Sequence, residues 1–195
     1  MLGAPRYLRE PPEKEPRVGI VNGLAYTSVG GEMLEVECTT MSGKGTLKLT
    51  GQLGDVMKES AETAFSWVRA HSEEFGLAKD FYQSIDIHIH VPEGAVPKDG
   101  PSAGVTMTTA LVSAVTGVPV RQDLAMTGEV TLRGRVLPIG GLNEKTMAAY
   151  RAGIRTLIIP EENRKDLEKI PDYVLEQFHV LPVQGVQEVL KTALR

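Results

Sequence analysis

Ser102 and Lys145 stand out as the side chains whose settings suit them to chemistry. Ser102 follows Pro101 and opens a helix that the small, apolar run SAGVTMTTALVSAVTG predicts over 102–117. A helix N-terminus carries free N–H donors and a partial positive charge, so an oxyanion formed there could be stabilised. The structural alternative is a serine that merely caps the helix. On this segment alone, that alternative is favoured. A serine hydroxyl is also a weak nucleophile without a base. Lys145 is a candidate base, in the first turn of a helix predicted to follow Gly140-Gly141. A lysine must be neutral to act, so its pKa must fall from about 10.4 to near 7–8. Burial lowers it, as does the positive end of a helix. The flanks of Lys145 are apolar or small: Leu142, Met147, Ala148 and Ala149. Helix starts favour acids, and a broken local rule marks functional sites. A solvated surface lysine weighs evenly against this reading.

Other motifs compete for attention. Gly100-Pro101-Ser102-Ala103-Gly104 matches the G-x-S-x-G pattern of a nucleophile elbow. That elbow needs a strand running straight into the turn, then an acid and a histidine downstream. Here the predicted strand ends near Val91, a long loop intervenes, and His179 is the one histidine after Ser102. The pentapeptide alone is therefore a weak signal. Asp86, His88 and His90 share one face of a predicted strand. Such a set could bind zinc, but neighbours on one strand rarely converge on an ion, and a polar sheet face is expected instead. SGKGT at 42–46 lacks the spacing of a phosphate loop. Cys38, the single cysteine, is expected as a structural strand residue, and Trp67 as a packing residue.

The elements that must position these side chains follow from periodicity. Residues 18–29, 32–40 and 45–50 alternate apolar and polar residues between Gly30-Gly31 and SGKG, and read as antiparallel strands joined by tight turns. Val56, Ala61, Ala64, Phe65 and Val68 predict a helical face within 53–75, ended by Gly76. Further strands are expected at 85–91, 123–127, 130–137 and 155–160, with a helix from Gly141 to Gly153. Short helices at 161–168 and 184–194 flank a strand near 178–182. The sum is an α+β (mixed α/β) domain with a partly antiparallel sheet. Residues 1–17 hold four prolines among charges and read as a linker or the stub of a preceding module; residues 18–195 form the domain.

Composition bounds the function classes. The 195 residues are 42% hydrophobic and 24% charged, ordinary for a globular chain. With a net charge of −4 and no basic run, the sequence offers no surface suited to nucleic acid. No apolar run approaches the roughly 20 residues of a spanning helix, and MLGAPRYLRE lacks a signal-peptide core, so a cytosolic protein is expected.

PKDGPSAG at 97–104 and GGLNEKTMAA at 140–149 resemble the two active-site segments of the Lon protease proteolytic domain. AMTGEVTLRGRVLPIGG at 125–141, GQLGDVMKES at 51–60 and DIHIHVPEGAVPKDG at 86–100 resemble the same family, and the likeness runs over about residues 18–190 in order and spacing. The resemblance implies that Ser102 is the nucleophile and Lys145 the general base of a serine–lysine dyad. It further implies that Thr127 orients the lysine, that the backbone amides of Asp99 and Ser102 receive the oxyanion, and that Asp99 engages the lysine in an inactive loop state. A turn-capping aspartate is the structural alternative for Asp99, and a hydroxyl satisfying local strand backbone the one for Thr127. The family implies no cofactor or metal in this chain, with ATP and Mg confined to an ATPase module absent from it. Unfolded proteins are the implied substrates, and a ring of six copies the implied assembly. Asn143 departs from the family motif, which has lysine there; it lies two positions before Lys145 and is expected to face elsewhere. Two rivals remain: a non-catalytic Lon-like assembly module, which would lack the dyad, and an esterase-like hydrolase using His179. The dyad requires Lys145 Nζ within reach of the Ser102 hydroxyl, with looser geometry allowed when no substrate is bound.

Overall fold

The computed structural model describes residues 15–28, 30–93 and 98–195. Of the expected linker, residues 1–14 lie outside that range. Strands β1 (Ile20–Thr27) and β2 (Gly30–Ser42) form a long antiparallel ladder, from Ile20 opposite Glu37 to Thr27 opposite Gly30. Alternation along β2 buries Leu34, Val36 and Cys38 on one face. The thiol of Cys38 is enclosed there, and burial pushes its pKa up to about 12, as befits an unreactive core residue.

The expected hairpin between the second and third strands does not form. Strand β4 (Ile85–His90) lies between β2 and β3 (Leu47–Thr50), antiparallel to the first and parallel to the second. The Gly43–Gly45 turn wraps the start of β4 instead of closing a ladder. Asp86 accepts the amides of Lys44 and Thr46 at 2.9 and 3.0 Å. These bonds hold the Asp86 carboxyl below its usual pKa. β2 is thus paired with a strand about 40 residues downstream, a choice that local alternation does not express.

The other half of the sheet is parallel. β5 (Leu124–Met126), β8 (Thr156–Pro160) and β9 (His179–Val183) follow β1 and complete the order β3-β4-β2-β1-β5-β8-β9. β5 and β8 are buried throughout, as strands covered on both faces are. On one face lie α1 (Asp55–Ala70), α2 (Gly104–Thr116) and α5 (Val186–Ala193), packed against Val21, Val36, Ile87, Ile89 and Ile158. On the other, α3 (Leu142–Arg151) and the short α4 (Asp172–Leu175) cover Leu24, Ala125, Leu157 and Ile159. The architecture is α+β with a mixed sheet.

Three expectations need correction. The first helix stops at Ala70, and a separate 3-10 turn, Ser72–Phe75, leads to Gly76 at φ 70°. Its buried face is Met57, Ala61, Ala64, Trp67 and Val68, whereas Val56 is exposed. The stretch 130–137 is not one strand. Gly134 folds it back through a bond to the Thr131 carbonyl, giving the hairpin β6 (Glu129–Val130) and β7 (Val136–Leu137). The segment Glu161–Lys169 is 3-10 rather than α-helical.

Candidate active site

Three elements converge at the carboxyl end of β5. The chain leaves β5 at Met126 and passes directly to Thr127, which is fully buried. Its amide donates to the Ile158 carbonyl at 3.1 Å, so the local backbone is satisfied without its hydroxyl. That hydroxyl accepts a hydrogen bond from Lys145 Nζ at 3.1 Å.

Lys145 enters from α3. Gly141 caps this helix in the left-handed conformation, φ 71°, where a Cβ would also strike the Tyr26 ring at 2.8 Å. The Lys145 amide makes the first helical bond, to the Gly141 carbonyl at 2.9 Å. Its side chain is buried, 2% exposed. Burial disfavours the ammonium and lowers the pKa to about 8. Desolvation is the cause here; the helix-start argument is not needed. Gly31 of β2 explains how α3 comes so close. A Cβ at Gly31 would lie 2.0 Å from the Glu144 carbonyl oxygen. Asn143 is exposed.

Ser102 approaches from the third direction. Helix α2 begins at Gly104, two residues later than expected, and Ala103 caps it with no side-chain bond. The Ser102 hydroxyl therefore does not serve as a helix cap. Its carbonyl accepts the Gly128 amide at 2.9 Å, and the Gly128 carbonyl accepts the Val105 amide at 3.0 Å. The backbone just after Thr127 thereby clasps the turn that bears Ser102. Among the described residues, neither the Asp99 nor the Ser102 amide donates a backbone hydrogen bond.

Ser102 and Lys145 line one open cavity of about 350 Å³, with Tyr26, Leu34, Met57 and Ile139 among its walls. No hydrogen bond joins the Ser102 hydroxyl to Lys145 Nζ in this arrangement; the amine is held by Thr127. Asp99 is bound to the start of α1 in this arrangement. Its carboxylate accepts the amides of Met57 at 3.0 Å and Gly100 at 2.8 Å. These bonds hold its pKa below the usual carboxylate value. It occupies the space above Gly54, whose missing side chain leaves the start of α1 uncapped from within.

The histidines are apart from this centre. His88 Nε2 and His90 Nδ1 each lie 2.7 Å from the Thr50 hydroxyl, while Asp86 is bound to the turn at 44–46. Among the described residues, no cluster suited to a metal ion is found. His179 opens β9 opposite Thr156, at the amino end of the parallel strands, and is exposed. Trp67 is 1% exposed in the core. Sequence reasoning missed Lys98, whose Nζ donates to the carbonyls of Gly51 and Glu93. The available signal was its place in PKDGPSAG, next to the residues that were singled out.

Comparison with known proteins shows the family of the chain. The family model described as the Lon protease (S16) C-terminal proteolytic domain matches residues 1–195. A Lon protease of Geobacter metallireducens is 61% identical over 193 residues, covering 99% of this chain and 24% of that protein. One from Brevibacillus choshinensis is 59% identical over 194 residues, covering 100% and 25%. The Lon protease of Escherichia coli (strain K12) is 56% identical over 194 residues, again 100% and 25%. The chain thus spans about a quarter of the length of these curated relatives. It belongs to the Lon protease (S16) family, as a C-terminal proteolytic domain.

Proposed function

We propose that this chain is a serine endopeptidase acting through Ser102 and Lys145. The observation that carries the reading is the buried Lys145 amine, lowered to a pKa of about 8, bonded to Thr127 and lining the cavity that Ser102 lines. A neutral amine that donates one N–H to Thr127 keeps its lone pair for the serine proton. Ser102 Oγ attacks the scissile carbonyl carbon as Lys145 takes that proton. The tetrahedral oxyanion is received by the amides of Asp99 and Ser102. Collapse breaks the C–N bond, and the leaving amine takes the proton from Lys145. Water then attacks the acyl-enzyme with Lys145 again as base, releasing the acid and restoring Ser102.

The substrate is an extended, unfolded segment. β4 ends at His90 opposite Glu37, so among the described residues no strand continues along the outer edge of β2 at 32–36. Glu32, Met33, Leu34 and Glu35 line a groove of about 390 Å³ there. The groove shares Ala25, Tyr26, Leu34, Met57 and Asp99 with the cavity at Ser102. Strand addition at this edge would bind backbone with little regard to sequence. In this reading the chain itself needs no cofactor. ATP and Mg act in a separate unfolding module, six copies form the working ring, and the protein is cytoplasmic.

The test is cleavage of an unstructured protein by the wild type, Ser102→Ala and Lys145→Ala. Both variants are expected to be inactive, and a serine-directed boronate should label Ser102 in the wild type alone. Turnover retained in both variants would sink the dyad.

A further inference from the structure

The backbone around the nucleophile's loop is strained at a few places, and one residue, through its side chain and its amide, meets all of them. Among the described residues, Gln52 (φ 55°) and Glu93 (φ 66°) are the non-glycine residues with positive φ. Gly51, beside Gln52, has φ 113°. Such conformations persist where the surroundings over-determine them, and they gather at functional sites. All three carbonyls accept hydrogen bonds from Lys98. Its Nζ donates to Gly51 at 3.0 Å and to Glu93 at 2.8 Å, and its amide donates to Gln52 at 3.0 Å. Its own carbonyl accepts the Gly54 amide at 2.7 Å.

We propose that Lys98 is a positioning residue, which ties the ends of β3 and β4 together and thereby holds Asp99 to Ser102 in the geometry that attack requires. This rests on the reading of Ser102 as nucleophile. Lys98 lies four residues before Ser102. Between them Asp99 is docked on the start of α1, and beyond them the Ser102 carbonyl is held by Gly128. The segment is therefore anchored at both ends, and Lys98 supplies the upstream anchor. A lysine head suits the task because it offers three donors on a compact centre, enough for two carbonyls that approach from different strands. A neutral side chain of similar length would leave the Gly51 and Glu93 carbonyls without that donor, and the strained turn would relax. Displacement of a reacting group by about 1 Å can cost on the order of a hundredfold in rate.

The experiment compares the wild-type chain with Lys98→Met, Lys98→Arg and Ser102→Ala. Four quantities are measured: kcat and KM on an unstructured peptide, the rate of Ser102 labelling by a peptide boronate, amide exchange across 98–104, and Tm. Lys98→Met should lose on the order of a hundredfold in kcat and labelling rate. Its Tm should stay near that of the wild type, exchange across 98–104 should rise, and the loss in kcat should exceed any change in KM, since Lys98 also lines the groove at 32–35. Lys98→Arg should recover part of the rate. Wild-type labelling and wild-type exchange in Lys98→Met would overturn the proposal, as would a rate loss matched by a general loss of stability. Ser102→Ala separates the two layers: if it still cleaves, the nucleophile assignment fails; if it is inert while Lys98→Met is fully active, only the role of Lys98 fails.

Discussion

At the residue scale, Lys145 sets how this site responds to pH. Its amine titrates near 8 in the folded chain because burial penalises the ammonium. In the proposed mechanism the base is the neutral form, so kcat/KM should rise as pH climbs through about 8 and level off above it. A profile flat from pH 6 to 10 would exclude Lys145 as the base. The same displacement acts on stability. An unfolded lysine titrates near 10.4, so between about 8 and 10.4 the unfolded chain binds the extra proton and stability rises with pH. Below that window the buried ammonium costs roughly 3 kcal/mol. Lys145→Met should therefore be inactive yet more stable than the wild type at pH 7, with the difference shrinking by pH 10. Urea unfolding at the two pH values measures this.

At the element scale, the site depends on α3 lying close against β2. Gly31 permits that contact, since a Cβ there would press on the Glu144 carbonyl and the Lys145 amide. Backbone atoms cannot swing aside as a side chain can. Gly31→Ala should therefore separate the strand from the helix, lowering stability by about 1–3 kcal/mol, as overpacking does. It should also lower activity more than its stability loss explains, because Lys145 moves with the helix. The readouts are urea unfolding and peptide turnover, and an unchanged kcat would refute this coupling. Asp99 works at the same scale: it caps α1 from a distant loop and so joins that helix to the turn bearing Ser102.

Across the whole molecule, the candidate site lies at one end of the parallel strands. Thr127 lies just beyond the carboxyl end of β5, and Lys145 and Ser102 meet there. This matches the general tendency of open α/β sheets to place sites beyond strand carboxyl ends. His179 opens β9 at the opposite end, level with Leu124 and so about three residue steps of roughly 3.3 Å along the sheet from Thr127. His179→Ala should cleave an unstructured protein at the wild-type rate. A loss of activity with the fold intact would favour a histidine-based hydrolase instead. The sheet itself has two characters. Its β1, β5 and β8 part is covered on both faces, whereas the β3-β4-β2 part presents His88, His90 and Thr50 on a polar face.

Much of the site was legible in the residue order. Ser102, Lys145, Thr127 and Asp99 all lie in segments whose residues carry a family resemblance. The helices and most strands follow from periodicity, which reports the face each residue presents to its own element. Periodicity is silent about pairing. The insertion of β4 between β2 and β3, the hairpin at 131–134 and the exposed Val56 each depend on contacts with distant chain. The burial that lowers Lys145, the role of Asp99 at α1 and the three carbonyls gathered by Lys98 were likewise decided by tertiary structure. Linear order determined which groups are available for chemistry. Their protonation and aim depend on solvent exclusion and on hydrogen bonds between segments 18 to 47 residues apart, which exist only once the chain has folded.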